Sequence, residues 1–216
     1  SLRTSLHFGM LDHSSKMLLV TSTAPGAGKS FTSINLAVIA AEAGQRVVVV
    51  DADMRRGYLR RYINQPKNGL GLAEYLSGQA SLEQILLPGT TPNMSVICSG
   101  RYPPNPSELL MRAEFERMIE ALNKEFDLVI VDSPPVLAVT DPVIMARYAG
   151  ATILVVRHIE AVRGEVEAAL RAFEIGGSKI TGAVLNGYKQ IEVSSYGGGQ
   201  YYYYNYRYSY KSDADN

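Results

Sequence analysis

Apolar residues in this chain fall into short unbroken runs separated by longer stretches with helical spacing. The runs are Met17–Thr21, Arg46–Val50, Ser95–Cys98, Leu128–Val131, Thr152–Val156 and Ile180–Leu185. Several are β-branched and apolar throughout rather than alternating. Strands of a parallel sheet covered on both faces have that pattern. Between them, Ser30–Ala43 sets Ile34, Ala37, Val38 and Ala41 on one stripe, and Gly44 follows as a stop signal. Pro106–Phe126 predicts the longest helix, with Leu109, Leu110, Met118, Ile119 and Leu122 among Glu and Arg. Thr140–Tyr148 and Glu160–Ile175 predict two more. Strand–helix alternation of this kind predicts a doubly wound α/β fold, a mostly parallel sheet with helices on both faces. Such sheets bind ligands beyond the carboxyl ends of their strands.

The two ends of the chain depart from this pattern. Residues 1–16 are mixed and polar, and residues 194–216 are rich in Ser, Gly and Tyr with a charged end. The expected division is one domain over 1–193 and a flexible tyrosine-rich tail over 194–216. The chain starts with Ser, which suggests a piece cut from a longer protein. No apolar run reaches the roughly 18 residues that a membrane span needs.

Composition narrows the function. Twenty-one basic and 21 acidic side chains cancel, which argues against a dedicated nucleic-acid binder. The single cysteine, Cys98, excludes an intramolecular disulfide framework. The chain has 14 Tyr against 5 Phe and no Trp. Eight of the tyrosines are packed at one end: Tyr196, Tyr201, Tyr202, Tyr203, Tyr204, Tyr206, Tyr208 and Tyr210.

Candidate chemistry sits where the first strand meets the first helix, at Thr23-Ala24-Pro25-Gly26-Ala27-Gly28-Lys29-Ser30-Phe31. Gly26 and Gly28 permit backbone conformations in which successive N–H groups point inward at phosphate oxygens. The helix that follows offers its positive end. Lys29 can reach the β- and γ-phosphates of ATP, and the Ser30 hydroxyl can ligate Mg²⁺. The strict phosphate-loop pattern has Gly where Thr23 stands. Two further strands end in carboxylates, Asp51-Ala52-Asp53 and Asp132-Ser133-Pro134-Pro135. Mg²⁺ takes oxygen ligands, so Asp132 fits a metal-organising role. Asp51 and Asp53 suit metal binding or proton acceptance from an attacking hydroxyl. An Asp at a strand end also caps the turn after it. Arg55, Arg56, Arg60, Arg61 and Lys67 form a basic stretch without an acid, read first as a solvated helix face and second as a surface for an acidic or phosphorylated partner chain.

On these residues the chain resembles the deviant-Walker P-loop ATPases. Within them it is closer to the cytoplasmic kinase domains of bacterial tyrosine kinases that control exopolysaccharide and capsule export. The matching pieces are Pro25–Ser30, Val47–Arg55 with its two aspartates, Val129–Pro135, the stretch Gly100–Leu110, and the tyrosine-rich end. Positioning ATPases usually carry a second lysine where Ala24 stands, so Ala24 and Pro25 favour the kinase branch. The resemblance implies an ATP- and Mg²⁺-dependent protein-tyrosine autokinase. It assigns catalysis to Lys29, Asp51 and Asp53, with Asp51 near the acceptor tyrosine and Asp53 on the metal. Metal ligation falls to Ser30, Asp53 and Asp132, and adenine contact to Asn186. The tail tyrosines become phosphoacceptors on neighbouring subunits. Partners implied are a homo-oligomeric ring, possible as an octamer, a membrane co-polymerase fused or associated, and a cognate phosphotyrosine phosphatase. No nucleic acid is implied. The implied place is the cytoplasmic face of the bacterial inner membrane. Arg3-Thr4-Ser5-Leu6 resembles the end of the family's N-terminal oligomerisation motif. The alternatives are a positioning ATPase and a nucleotide-binding scaffold without turnover.

Overall fold

A computed structural model describes residues 15–63, 69–158 and 160–188. The tail tyrosines, Arg3–Leu6 and Lys67 lie outside the described residues. Seven strands form one sheet: β1 (Met17–Ser22), β2 (Val47–Asp51), β3 (Leu86–Pro88), β4 (Met94–Ile97), β5 (Leu128–Asp132), β6 (Ala151–Arg157) and β7 (Gly182–Asn186). Their order is β3-β4-β2-β5-β1-β6-β7. Every pairing is parallel except β3 with β4, which is antiparallel.

Alternate residues of the central strands feed two separate cores. Leu18, Val20, Val47, Val49, Ile130, Ile153 and Val155 face α1 (Lys29–Glu42), whose Ile34, Leu36, Ala37, Ala40 and Ala41 are buried against them. Met17, Leu19, Val48, Val50, Val129, Val131 and Leu154 face the other way. That second core is closed by α2 (Leu72–Leu76), α3 (Leu82–Ile85), α4 (Pro106–Leu110), α5 (Ala113–Glu125), α6 (Asp141–Ala146) and α7 (Arg163–Ile175). Runs that are apolar at every position are thus explained: both faces of the sheet are covered.

Two expectations need correction, and three short elements go beyond them. The long helix over Pro106–Phe126 is two helices, broken at Met111 and Arg112, where Arg112 is extended (φ −73°, ψ 154°). The buried stripe of α5 is Phe115, Met118, Ile119 and Leu122. Continued backward at helical spacing, that stripe would pass through residues 111 and 112, which are exposed. Leu109 and Leu110 are buried only because the break rotates α4. The basic stretch is not a helix face: after a turn over residues 54–56 it makes a single 3₁₀ turn, Leu59–Arg61. The edge hairpin strand β3 and the short helices α2 and α3 were not foreseen; with three to five residues each, they are too short to show a period.

Phe115 is fully buried in the second core. Phe115→Ala should cost about 3–5 kcal/mol, seen as a lower urea midpoint with an unchanged slope.

Candidate nucleotide and phosphoryl-transfer site

Parallel pairing brings the carboxyl ends of β1, β2 and β5 to one edge. Asp51 and Asp132 are direct register partners on adjacent strands, so their side chains leave the sheet on the same side. Both are buried, each 1% exposed. The Asp51 carboxylate accepts hydrogen bonds from the backbone N–H of Leu59 (2.9 Å) and of Asp53 (3.3 Å). Asp53, 6% exposed, accepts from the N–H groups of Arg55 and Arg56 with one oxygen. Its other oxygen lies 3.7 Å from the Lys29 ammonium. The sequence motifs Gly-Lys-Ser, Asp-x-Asp and the Asp of β5 therefore meet in space.

The loop before α1 has the geometry expected of a phosphate cradle. Gly26 and Gly28 both take positive φ, 82° and 94°. A Cβ on Gly28 would also lie 2.0 Å from the Asn186 amide nitrogen. The N-terminus of α1 has no side-chain cap and no acid in its first turn. Its first N–H groups are left for an anionic ligand. Thr23 and Ala27 are buried, whereas Pro25 and Gly26 are exposed. Phe31 stands at the surface, 57% exposed. The Asn186 amide donates to the Ala27 carbonyl at 2.9 Å, and its oxygen accepts from the Gly187 N–H. In this arrangement Asn186 fastens the end of β7 to the phosphate loop.

Burial raises both paired carboxyls. Asp51 is pushed from 3.8 to about 7, chiefly by burial and then by the Asp132 charge, with the Leu59 amide opposing. Asp132 is pushed to about 6 by burial, opposed by Lys29 and by the Ser30 hydroxyl. Cys98 is pushed up to about 11 by burial and by Asp51, which makes it an inert thiol.

The residues fit a magnesium ion accompanied by phosphate. Asp132 Oδ2 is buried and finds no hydrogen-bond partner among the described residues. An orphaned carboxylate oxygen beside the Ser30 hydroxyl is what a metal-bound water or an ion would satisfy. Among the described residues no group of three His, Cys, Asp or Glu could hold a metal by itself. The ion would therefore depend on phosphate oxygens and water as well, as magnesium commonly does.

Several residues at the site carry no signal that sequence reading used. Arg157, the last residue of β6, donates to the Gly26 carbonyl at 3.0 Å. Ser33 on α1 donates to Asp132 at 3.4 Å. Asp141, fully buried at the start of α6, receives Arg55 Nε and Nη2 (3.3 Å each) and the Ser107 hydroxyl (2.5 Å). The Asp51–Asp53 turn is thereby tied to α4 and α6. Thr140-Asp141-Pro142 reads in sequence only as a helix start.

Comparison with known proteins adds the family. A model described as an AAA domain matches residues 15–167. The chain is 42% identical over 200 residues to the tyrosine-protein kinase ptk of Acinetobacter johnsonii, covering 91% of this chain and 26% of that protein. It is 37% identical to the tyrosine-protein kinase wzc of Salmonella typhimurium, covering 99% and 29% respectively. The chain thus spans under a third of the length of the curated relatives it matches. Its structure superimposes on the kinase domain of the Escherichia coli tyrosine kinase ETK with a TM-score of 0.85, at 40% identity, covering 92% of this chain and 78% of that one. The chain belongs to the bacterial tyrosine-kinase family of P-loop ATPases. The septum site-determining protein MinD of Pyrococcus horikoshii, solved with Mg-ADP, shares the fold at a TM-score of 0.65 and 21% identity. Among the described residues no helix is long and apolar enough to cross a membrane.

The folded-state pKa values of Asp51 and Asp132 lie above their ordinary value, so the folded chain holds protons that the unfolded chain has released. Their contribution to stability is present at low pH and is lost as pH rises from about 4 to about 7. The Tm of the nucleotide-free protein should fall across that window. Binding of Mg·ADP near pH 6.5 should release protons, measured by calorimetry in buffers of different ionisation enthalpy. Separately, Arg55→Ala and Asp141→Asn should be non-additive in urea denaturation, with a coupling of about 1–3 kcal/mol.

Proposed function

We propose that this chain is the ATP-dependent protein-tyrosine kinase part of a longer protein and that it phosphorylates the tyrosine cluster 196–210 of a neighbouring copy. The observation that carries this reading is the second buried carboxylate. One strand-end carboxylate, Asp132, suits the organisation of a metal, and the nucleophile needs a further group to orient it. Asp51 stands beside it on the next strand with a proton affinity near neutrality. That matches a group that aligns a tyrosine hydroxyl and takes its proton.

On this reading the loop Thr23–Ser30 cradles the phosphates of ATP through its backbone N–H groups. Lys29 moves from Asp53 to the β- and γ-phosphate oxygens. Ser30, Asp53 and Asp132 would hold Mg²⁺, which when bound supplies positive charge against the phosphate oxygens. The tyrosine oxygen forms a bond to the γ-phosphorus while the bond to the β–γ bridging oxygen breaks, and ADP departs. The tyrosine proton passes to the Asp51 carboxylate. A free tyrosine hydroxyl has a pKa near 10, so it is largely protonated when it approaches. A loose transition state asks mainly for alignment and charge compensation, which these residues provide. Phe31 and Asn186 complete the nucleotide surface.

The names of the relatives support the setting. One resembling protein is named as a putative tyrosine-protein kinase in the cps region of Klebsiella pneumoniae. We infer a domain over 1–193 followed by an acceptor tail over 194–216, working in a ring of copies at the cytoplasmic face of the inner membrane. A membrane co-polymerase would be fused to it or associated with it, and a phosphotyrosine phosphatase would reset it. Each phosphate adds about −1.5 to −2 charge to a tail that starts neutral, with Arg207 and Lys211 against Asp213 and Asp215. Mutual repulsion of modified tails would loosen the ring and so regulate polysaccharide export.

Incubation with Mg·ATP, followed by mass-spectrometric mapping, tests this. Phosphotyrosine is expected between Tyr196 and Tyr210, and none in Lys29→Met. ATP hydrolysis without phosphotyrosine in an assembled sample would overturn the kinase reading.

A further inference from the structure

Asp141 is a fully buried carboxylate that takes no direct part in the site described above. In sequence it reads only as a helix start, and the stretch Gly100–Leu110 carries no chemistry of its own. The structure joins the two through Arg55. Arg55 donates from Nε to one Asp141 oxygen and from Nη2 to the other, at 3.3 Å each. The Ser107 hydroxyl donates to Asp141 at 2.5 Å and accepts from Arg55 Nη2 at 3.0 Å. Carboxylate, hydroxyl and guanidinium thus form a closed set of contacts. A carboxylate this deep is tolerated only when it is paired and hydrogen-bonded. A planar guanidinium gripping both oxygens fixes direction as well as distance, which a lysine could not do.

What these contacts hold is the turn that carries Asp53. Met54 is buried in the second core and seats the turn. Arg55 and Arg56 lie at the surface, outside any strand or helix. Their backbone N–H groups nevertheless both point at one Asp53 oxygen, at 3.3 and 2.9 Å. The other Asp53 oxygen is thereby left facing Lys29 at 3.7 Å. The Arg55 side chain secures that orientation from α4 and α6, whose Leu109, Leu110 and Met145 are buried in the second core. A metal-binding carboxylate has to be aimed closely, and removing the groups that orient such a ligand commonly costs about 10–100-fold in metal affinity.

We propose that Asp141 and Ser107 are positioning residues for Asp53, acting through Arg55, so that they set how strongly magnesium binds with the nucleotide. They touch neither phosphate nor acceptor. The proposal rests on the assignment of Asp53 to Mg²⁺ made above, and is independent of what accepts the phosphoryl group.

Binding of fluorescently labelled ADP to the whole 216-residue chain tests this, measured once with excess Mg²⁺ and once with EDTA. The ratio of the two Kd values reads the contribution of the metal alone. Asp141→Asn should lower that ratio about tenfold. Its Kd in EDTA should stay unchanged, because the phosphate loop is held separately by Arg157 and Asn186. Ser107→Ala and Arg55→Lys should act in the same direction, and they decide the matter if Asp141→Asn does not fold. In an Asp53→Asn chain, adding Asp141→Asn should reduce the ratio no further. An unchanged ratio in the folded variants overturns the proposal. So does equal weakening of ADP with and without Mg²⁺, which would mark a general loosening of the fold, and so does a further loss in the Asp53→Asn chain. Absence of any tightening by Mg²⁺ in the unaltered chain overturns the metal assignment of Asp53 as well. Absence of phosphotyrosine in the mapping experiment overturns the kinase reading and leaves this proposal standing.

Discussion

Two carboxylates cannot share a dry sheet edge without compensation, and the region around Asp51 and Asp132 is arranged to supply it. Register fixes them as neighbours, so neither can turn away without breaking the β2–β5 pairing. In a low dielectric, like charges this close force at least one of them to hold a proton or to find a counter-charge. The protein supplies backbone N–H groups to Asp51 and the Ser33 hydroxyl to Asp132. Lys29 also acts on Asp132, while it lies nearest to Asp53. The compensation is incomplete, as the orphaned oxygen of Asp132 and the raised pKa values show. A site left short of positive charge suits a cation, and the fold spends stability at neutral pH to keep it so.

The same constraint explains why surrounding segments are fixed so firmly. Asp53 can face Lys29 only if the turn after it is held, and two N–H groups of that turn bind Asp53 itself. The side chain of Arg55 then carries the turn to buried Asp141 and to Ser107. On the other side, Asn186 and Arg157 hold the carbonyls of Ala27 and Gly26. Those carbonyls are thereby kept turned from the cradle, leaving the N–H groups for phosphate. Gly28 takes a positive φ that favours glycine, and a Cβ there would displace the Asn186 amide that fastens the loop.

Much of this was legible in the sequence because it depends on local rules. Four apolar residues ending in Asp predict a buried strand that delivers a carboxylate to the sheet edge, and parallel topology brings all such ends together. The Gly-Lys-Ser junction is local in the same sense. What stayed hidden depends on contacts across the chain. Arg55 and Asp141 are 86 positions apart, and nothing in either segment marks the other. The break between α4 and α5 contains no Pro or Gly at Met111–Arg112; it shows only when Leu109 and Leu110 are found out of phase with the stripe of α5. The arginine stretch was visible as charge, but its division by partner, carboxylate or tyrosine, is a property of the folded chain.

That division gives the formal neutrality of the chain a physical meaning. A net charge of zero argues against a surface that attracts any polyanion at long range. Local differences survive: Arg55 and Arg101 sit against buried carboxylates, whereas Arg61 lies over the Tyr58 ring.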